Sequence, residues 1–239
     1  MFQSDQHKPH ISGQFNNELG TLKNDILAMG GLVESQLSLA LNALLEKNTE
    51  KALQVIKRDS EVNALELKID QECARILARR QPAASDLRLV LAVIKINMDL
   101  ERVGDEAAKI ARQAKVIVEN SLLDSQFVNL RLMGKQIIDT LRLALDALAR
   151  SDAQLALEIV AGDSSIDAVY AQAMEVVVKT MRADESIIPV MLNELWALKA
   201  LERIGDHASN IGEHVIYMVS GHDVRHRSSA EISNQLESP

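Results

Sequence analysis

Cysteine, proline and aromatic residues are all scarce in this 239-residue chain, and each scarcity limits the classes of fold that the chain can adopt. The single cysteine, Cys73, cannot form a disulfide within the chain, which excludes a disulfide-stabilised domain and favours a reducing compartment. Four prolines leave Pro-free runs of 72 and 106 residues, and only 3% of residues are aromatic. Leucine, alanine, glutamate and lysine fill these runs, so the composition predicts long helices.

Long apolar runs and basic stripes are missing as well. The longest wholly apolar run, residues 89–94, is far shorter than the roughly 18 residues of a membrane span. The polar first ten residues lack the apolar core of a signal peptide. A net charge of −8 opposes nucleic-acid binding, which requires a basic surface. The sequence therefore predicts a cytoplasmic protein with no membrane insertion and no nucleic-acid partner.

An internal duplication organises the chain. Residues 37–56 match residues 141–160 at an offset of 104, whereas LERVGD at 100–105 matches LERIGD at 201–206 at an offset of 101. The three missing residues lie between, where the first copy has RRQPAASD and the second has the shorter RADES.

Each copy predicts three helices, because apolar residues recur at spacings of three and four and short links make neighbouring helices antiparallel. The predicted helices cover residues 13–46, 49–80, 86–119, 125–150, 152–183 and 187–220. The predicted fold is all-α, with six helices in two pseudo-symmetric antiparallel three-helix bundles. The bundles are expected at 11–120 and 121–221, with disordered ends at 1–10 and 222–239.

The two LERxGD motifs place pairs of carboxylates on one helix face. Glu101 and Asp105 are four residues apart, as are Glu202 and Asp206, and like charges at this spacing destabilise a helix. Each motif also contains a glycine, Gly104 or Gly205, that lies on the apolar side of its helix. We expect a neighbouring helix to pack closely against these glycines.

Antiparallel pairing brings further polar side chains to the same height. Asp59 and Asn63 are expected opposite the first motif. In the second copy, Asp163 and Asp167 are expected opposite Glu202 and Asp206.

Converging carboxylates raise one another's pKa unless a cation neutralises them. Oxygen ligands suit magnesium, manganese, calcium or iron, and zinc also binds carboxylates. The pattern therefore predicts a metal site in each bundle, although a solvated acidic helix flank is the simpler reading of any one pair.

The second bundle has the stronger claim to a metal. Lys109 and Arg112 are placed to neutralise the first pair, whereas Asn210 and Glu213 stand at the equivalent positions of the second copy, so no cation is expected on that face. His207 is expected at the surface, and His214 has no ligand spacing.

Several motifs, in this order, resemble the PhoU family of bacterial phosphate-signalling regulators. They are HISGQFNNEL at 10–19, MGG followed by valine at 29–33, ARRQPAASDLRLV at 78–90 and the two LERxGD motifs. The resemblance implies the same pair of bundles.

Some relatives in this family hold multinuclear iron or zinc clusters at E(D)xxxD motifs. The resemblance places such motifs at Glu101 and Asp105, at Glu202 and Asp206, and at Asp163 and Asp167. The segment from Asp59 departs from the pattern because it ends in an amide, which weakens the case for a cluster in the first bundle.

The resemblance further implies a homodimeric, cytoplasmic negative regulator, not an enzyme. Such a protein couples the phosphate ABC transporter, through its ATPase subunit, to a sensor histidine kinase. The loop RRQPAASD is the expected partner contact, with Arg79, Arg80 and the nearby Arg88, and Arg80 is expected to contribute little to folding.

Two other classes remain open from the residues alone. One is a carboxylate-bridged dimetal enzyme, although such enzymes carry Glu-x-x-His pairs that are missing here. The other is a metal-free structural bundle. No nucleophile elbow, P-loop or H-E-x-x-H motif occurs in the sequence.

Overall fold

The computed structural model describes residues 8–119, 128–225 and 227–237, and these are helical almost throughout. The helices are α1 (Lys8–Leu45), α2 (Thr49–Arg80), α3 (Ala84–Glu119), α4 (Val128–Arg150), α5 (Ala153–Ala183), α6 (Ile188–Ser220) and α7 (Ser229–Glu237), with a short 3-10 turn at Glu185–Ile187. The all-α prediction is confirmed.

Local chemistry sets the ends of the long helices. Asn48 begins α2 by accepting a hydrogen bond at 3.0 Å from the backbone N–H of Lys51. Asp152 begins α5 by accepting two backbone N–H groups of the first turn, each at 3.0 Å. Gly221 ends α6 with a φ of 81°, a left-handed conformation that glycine adopts without strain. The predicted start of the fourth helix at residue 125 lies outside the described residues.

Two three-helix bundles pack side by side. Helices α1, α2 and α3 contact one another, as do α4, α5 and α6, and the bundles meet through α3 with α6 and α1 with α4. Apolar stripes fill the interior, since the largest fully buried side chains are those of Leu22, Ile26, Met29, Leu37, Leu44, Ile69, Ile76, Ile96, Leu100, Ile110, Ile117 and Leu130. Burial of these stripes stabilises helices that their sequence alone favours only weakly.

Equivalent residues of the two repeats pack against each other reciprocally. A Cβ added to Gly134 of α4 meets the Leu41 side chain of α1 at 2.8 Å. One repeat away, Gly30 of α1 lies in the same way against Leu145 of α4, and a Cβ there also clashes. Because each glycine and each leucine is 104 residues from its counterpart, the duplication generates a pseudo-two-fold interface.

The prediction that residues 222–239 are disordered is wrong for most of that segment. Helix α7 packs on α5, and Ile232 is fully buried. Ser228 and Glu231 form a capping box, in which the Ser228 backbone N–H donates to Glu231 Oε2 at 2.8 Å. At the other end, residues 8–10 belong to α1, while residues 1–7 lie outside the described residues.

One stretch of α1, Gly13–Leu45, is long and apolar enough to cross a membrane by length and composition, with a mean hydropathy of 1.2. Half of its most apolar window is buried inside the protein, where it forms core of the first bundle. A core helix of a soluble bundle passes the same test, so this single stretch is weak evidence for a membrane span.

Candidate metal centre

The second bundle gathers three carboxylates between α5 and α6. Asp167, Glu202 and Asp206 each offer one oxygen, and these oxygens lie within 4.8 Å of one another. The carboxylates of α5 lie opposite those of α6 because the two helices pack antiparallel, as the sequence predicts. Within the described part of the chain, this is the only such group of three or more histidine, cysteine, aspartate or glutamate ligands.

Electrostatics at this cluster favour a cation. Burial, and next the neighbouring carboxylates of Glu202, Asp163 and Asp167, together raise the pKa of Asp206 to about 6. Burial also raises the pKa of Asp163, with Asp167 as the next largest cause. Asp163 therefore belongs to the same field of negative charge, although it is not one of the three grouped ligands.

A lysine already contacts the second cluster, which corrects the prediction that this face lacks a cation. The Lys199 ammonium lies 2.5 Å from Glu202 Oε2 and 5.4 Å from the centre of the Tyr170 ring. Lys199 stands three residues before Glu202 and so reaches it along the same helix face. This leaves Asp163, Asp167 and Asp206 without a lysine or arginine contact within salt-bridge distance among the described residues.

The first cluster has the expected acids but a different set of cations. Burial, and next the Asp105 carboxylate, raise the pKa of both Glu101 and Asp59. Arg102 lies 3.4 Å from Glu101 and 4.0 Å from Asp105, and Arg112 lies 4.0 Å from Asp59.

Lys109 does not neutralise the first motif as predicted. Its ammonium instead pairs at 2.8 Å with Glu106, which also lies 3.2 Å from Arg203 of the second bundle. The prediction for Lys109 was wrong because it considered only the acids within the LERxGD motif, and Glu106 directly follows that motif.

Residues of both clusters fit a hard or borderline cation by the chemistry of their donors, which are carboxylate oxygens. In the first bundle, Asp59 Oδ1 and Gln36 Oε1 are buried and have no hydrogen-bond partner among the described residues. Gln36 is fully buried and was not a candidate in the sequence, because it lies on α1, outside both motifs. Two arginines compete for the first cluster, so the second cluster is the better candidate.

His207 is less exposed than predicted, with 23% of its side chain accessible, because it lies where α6 meets α3. His207 Nδ1 lies 2.9 Å from Asp99 Oδ1, and His214 Nε2 lies 3.2 Å from Asp99 Oδ2. Asn210 donates its amide to the same aspartate at 3.3 Å. Burial raises the pKa of Asp99, but the hydrogen bonds from the two histidines outweigh it and lower that pKa overall. This contact group holds α3 against α6 and is separate from the carboxylate clusters.

Three arginines lie in or next to the loop RRQPAASD, and two of them make contacts within the described part of the chain. Arg80 donates to both carboxylate oxygens of Glu18, at 2.8 and 2.7 Å, and so ties α2 to α1. Arg88 donates to the backbone carbonyl of Met218 at 3.4 Å. Arg79 is exposed. The bidentate contact argues against the expectation that Arg80 contributes little to folding.

Long helices in two matched bundles, with carboxylates facing each other across each bundle, define a tandem three-helix-bundle protein with a candidate metal centre. The PhoU domain model matches residues 26–114 and 130–215, once in each bundle. The chain therefore belongs to the PhoU family.

Relatives match over almost their full length. The phosphate-specific transport system accessory protein PhoU homolog of Pseudomonas aeruginosa is 47% identical over 237 residues, which cover 99% of this chain and 98% of that protein. The accessory protein PhoU of Escherichia coli (strain K12) is 41% identical, covering 95% of this chain and 94% of that protein. The crystal structure of PhoU from Pseudomonas aeruginosa has a TM-score of 0.84 at 48% identity, covering 87% of this chain and 100% of that one.

Proposed function

We propose that this protein is a negative regulator of phosphate uptake and of the phosphate-starvation genes. It acts as a cytoplasmic homodimer that couples the phosphate ABC transporter, through its ATPase subunit, to a sensor histidine kinase. The observation that carries the proposal is the full-length similarity to proteins named as accessory to phosphate-specific transport. Two matched bundles also offer repeated helical surfaces, as an adaptor requires.

The second bundle binds a divalent metal in this proposal. Asp163, Asp167, Glu202 and Asp206 hold iron, zinc, manganese or magnesium, and the cation offsets the burial and the repulsion that raise the pKa of Asp206. Asp59, Glu101 and Asp105 form a weaker site, because Arg102 and Arg112 compete there. The metal stabilises the packing of α5 on α6.

A carboxylate-bridged enzyme is the less favoured function. The grouped ligands of the second cluster are all carboxylates within the described residues, whereas dimetal enzymes of helical bundles add histidines three residues after a ligand glutamate. We therefore assign binding, and not catalysis, to this chain.

Co-purification tests the adaptor role. The tagged full-length protein is isolated from its host after growth in phosphate-rich and phosphate-poor medium, with an untagged strain as control. Recovery of the transporter ATPase subunit or the sensor kinase, changed by the phosphate supply, supports the proposal. Absence of both under both conditions contradicts it.

A further inference from the structure

The two repeats differ in the side chains that lie beside their matching carboxylates. In the first bundle, an open cleft of about 260 Å³ lies between α2 and α3, and its lining is Asn63, Glu66, Leu67, Met98, Glu101 and Arg102. It is smaller than the roughly 300–1,000 Å³ of pockets for drug-sized ligands, and it suits a single long side chain.

Apolar and acidic surfaces meet in this cleft. Leu67 is 59% exposed and Met98 is 56% exposed, so the two side chains form an apolar surface that a partner could cover. Glu66 and Glu101 stand beside them. Four carboxylates, those of Asp59, Glu66, Glu101 and Asp105, interact electrostatically here. Among the described residues, Arg102 and Arg112 are the cations that pair with these acids, which leaves the surroundings of the cleft negative.

The second repeat shows what fills the equivalent cleft. The offset of 104 places Tyr170 at the position of Glu66, and the offset of 101 places Lys199 at the position of Met98. Glu202 stands at the position of Glu101, and the Lys199 ammonium pairs with it at 2.5 Å while lying 5.4 Å from the Tyr170 ring centre. The second bundle therefore supplies from within a lysine, held by an acid and an aromatic ring.

We propose that the cleft of the first bundle is a docking site for a lysine side chain presented by a helical segment of a partner protein. The ammonium of that lysine pairs with Glu101 and Glu66, taking the place of a metal at Glu101 in the weaker first site, and its aliphatic stem lies on Met98 and Leu67. Flanking apolar residues of the partner helix cover the exposed parts of the same two side chains. This site deepens the adaptor role and, as a biological docking site, rests on it.

The test uses a synthetic amphipathic helical peptide with one central lysine between leucines, and a matched peptide with norleucine in place of the lysine. Fluorescence anisotropy of the labelled peptide is measured against the full-length protein to about 5 mM. Methyl-labelled methionine, with Met98 assigned through Met98→Leu, locates the contact by NMR. We expect the lysine peptide to bind and shift the Met98 signal, and the norleucine peptide to bind at least threefold more weakly.

Variants separate the cleft from general charge. Glu66→Gln is expected to weaken the lysine peptide about threefold, whereas Glu61→Gln, an exposed glutamate of α2 outside the cleft, leaves it unchanged. The pair Glu66→Tyr with Met98→Lys reproduces the self-filled second repeat and abolishes binding while the thermal unfolding temperature stays close to wild type.

Equal binding of the two peptides, an unmoved Met98 signal, or undiminished binding by the self-filled variant overturns the docking site. The readout is peptide binding to this chain and does not depend on phosphate signalling. A negative peptide result therefore leaves the proposed regulatory function standing. A negative co-purification result leaves the measured peptide binding at the cleft standing.

Discussion

Asp99 of α3 and His207 of α6 lie 2.9 Å apart, from carboxylate Oδ1 to imidazole Nδ1, and so join the two bundles. His214 reaches the other oxygen of the same buried aspartate at 3.2 Å. Removing the carboxylate leaves two imidazole nitrogens without their partner at a buried interface. We expect Asp99→Ala to reduce the free energy of unfolding by about 1–3 kcal/mol, measured by urea denaturation. The exposed Asp139→Ala is the control, and an Asp99→Ala protein as stable as that control contradicts the role.

Gly205 lies where α6 approaches α4 and α5. A Cβ at this position meets Ile137 Cδ1 at 3.0 Å and Ile166 Cγ2 at 3.2 Å, which confirms the predicted inward position. Gly205→Leu should destabilise the protein by about 1–3 kcal/mol through overpacking. Gly31 faces open space on α1, so Gly31→Ala should instead stabilise by up to about 1 kcal/mol through helix propensity. Thermal and chemical denaturation that rank the two variants the other way would show that crowding does not decide these positions.

Glu194 introduces a pH dependence into the second bundle. Burial raises the pKa of this carboxyl from 4.5 to about 7. The folded protein therefore holds a proton that the unfolded chain releases, so this residue lowers stability as the pH rises from 4.5 to about 7, and the loss is complete above that range. Glu194→Gln should be more stable than wild type at pH 8 by on the order of 1–3 kcal/mol, and equally stable near pH 4.

The check is the difference between wild-type and Glu194→Gln unfolding free energies across this pH range, which removes the contribution of other titrating groups. Glu175→Gln, an exposed glutamate of α5, serves as the control. A difference that stays constant with pH would falsify the assignment to Glu194.

Metal content should separate the two carboxylate clusters. Glu202→Ala with Asp206→Ala is expected to lose more bound metal than Glu101→Ala with Asp105→Ala, because Arg102 and Arg112 balance part of the charge in the first bundle. Protein purified without chelator is analysed by mass spectrometry for metals. Wild type should also gain thermal stability when the bound metal is added back. Equal losses in the two double variants, or a metal-free wild type, count against the second site.

Much of the fold could be predicted from the sequence because helix periodicity, proline spacing and turn residues are local signals. The facing carboxylates were also predictable, since antiparallel register fixes which residues of α5 and α6 are level. Contacts between the bundles were not, because no local period specifies that Asp99 meets His207. The pairing of Lys199 with Glu202 is an i, i+3 contact and was available in the sequence. Helix α7 was missed because its polar composition resembles a tail, although Ser228 and Glu231 carry a capping signal.

The most direct test of the regulatory function is the expression of phosphate-starvation genes in a deletion strain grown in phosphate-rich medium. Alkaline phosphatase activity is measured in the wild-type host, in the strain lacking this protein, and in that strain with the full-length gene restored. The account predicts high phosphatase activity in the deletion strain and repression on restoration. Repressed phosphatase in the deletion strain would contradict the regulator and favour the structural-bundle alternative instead.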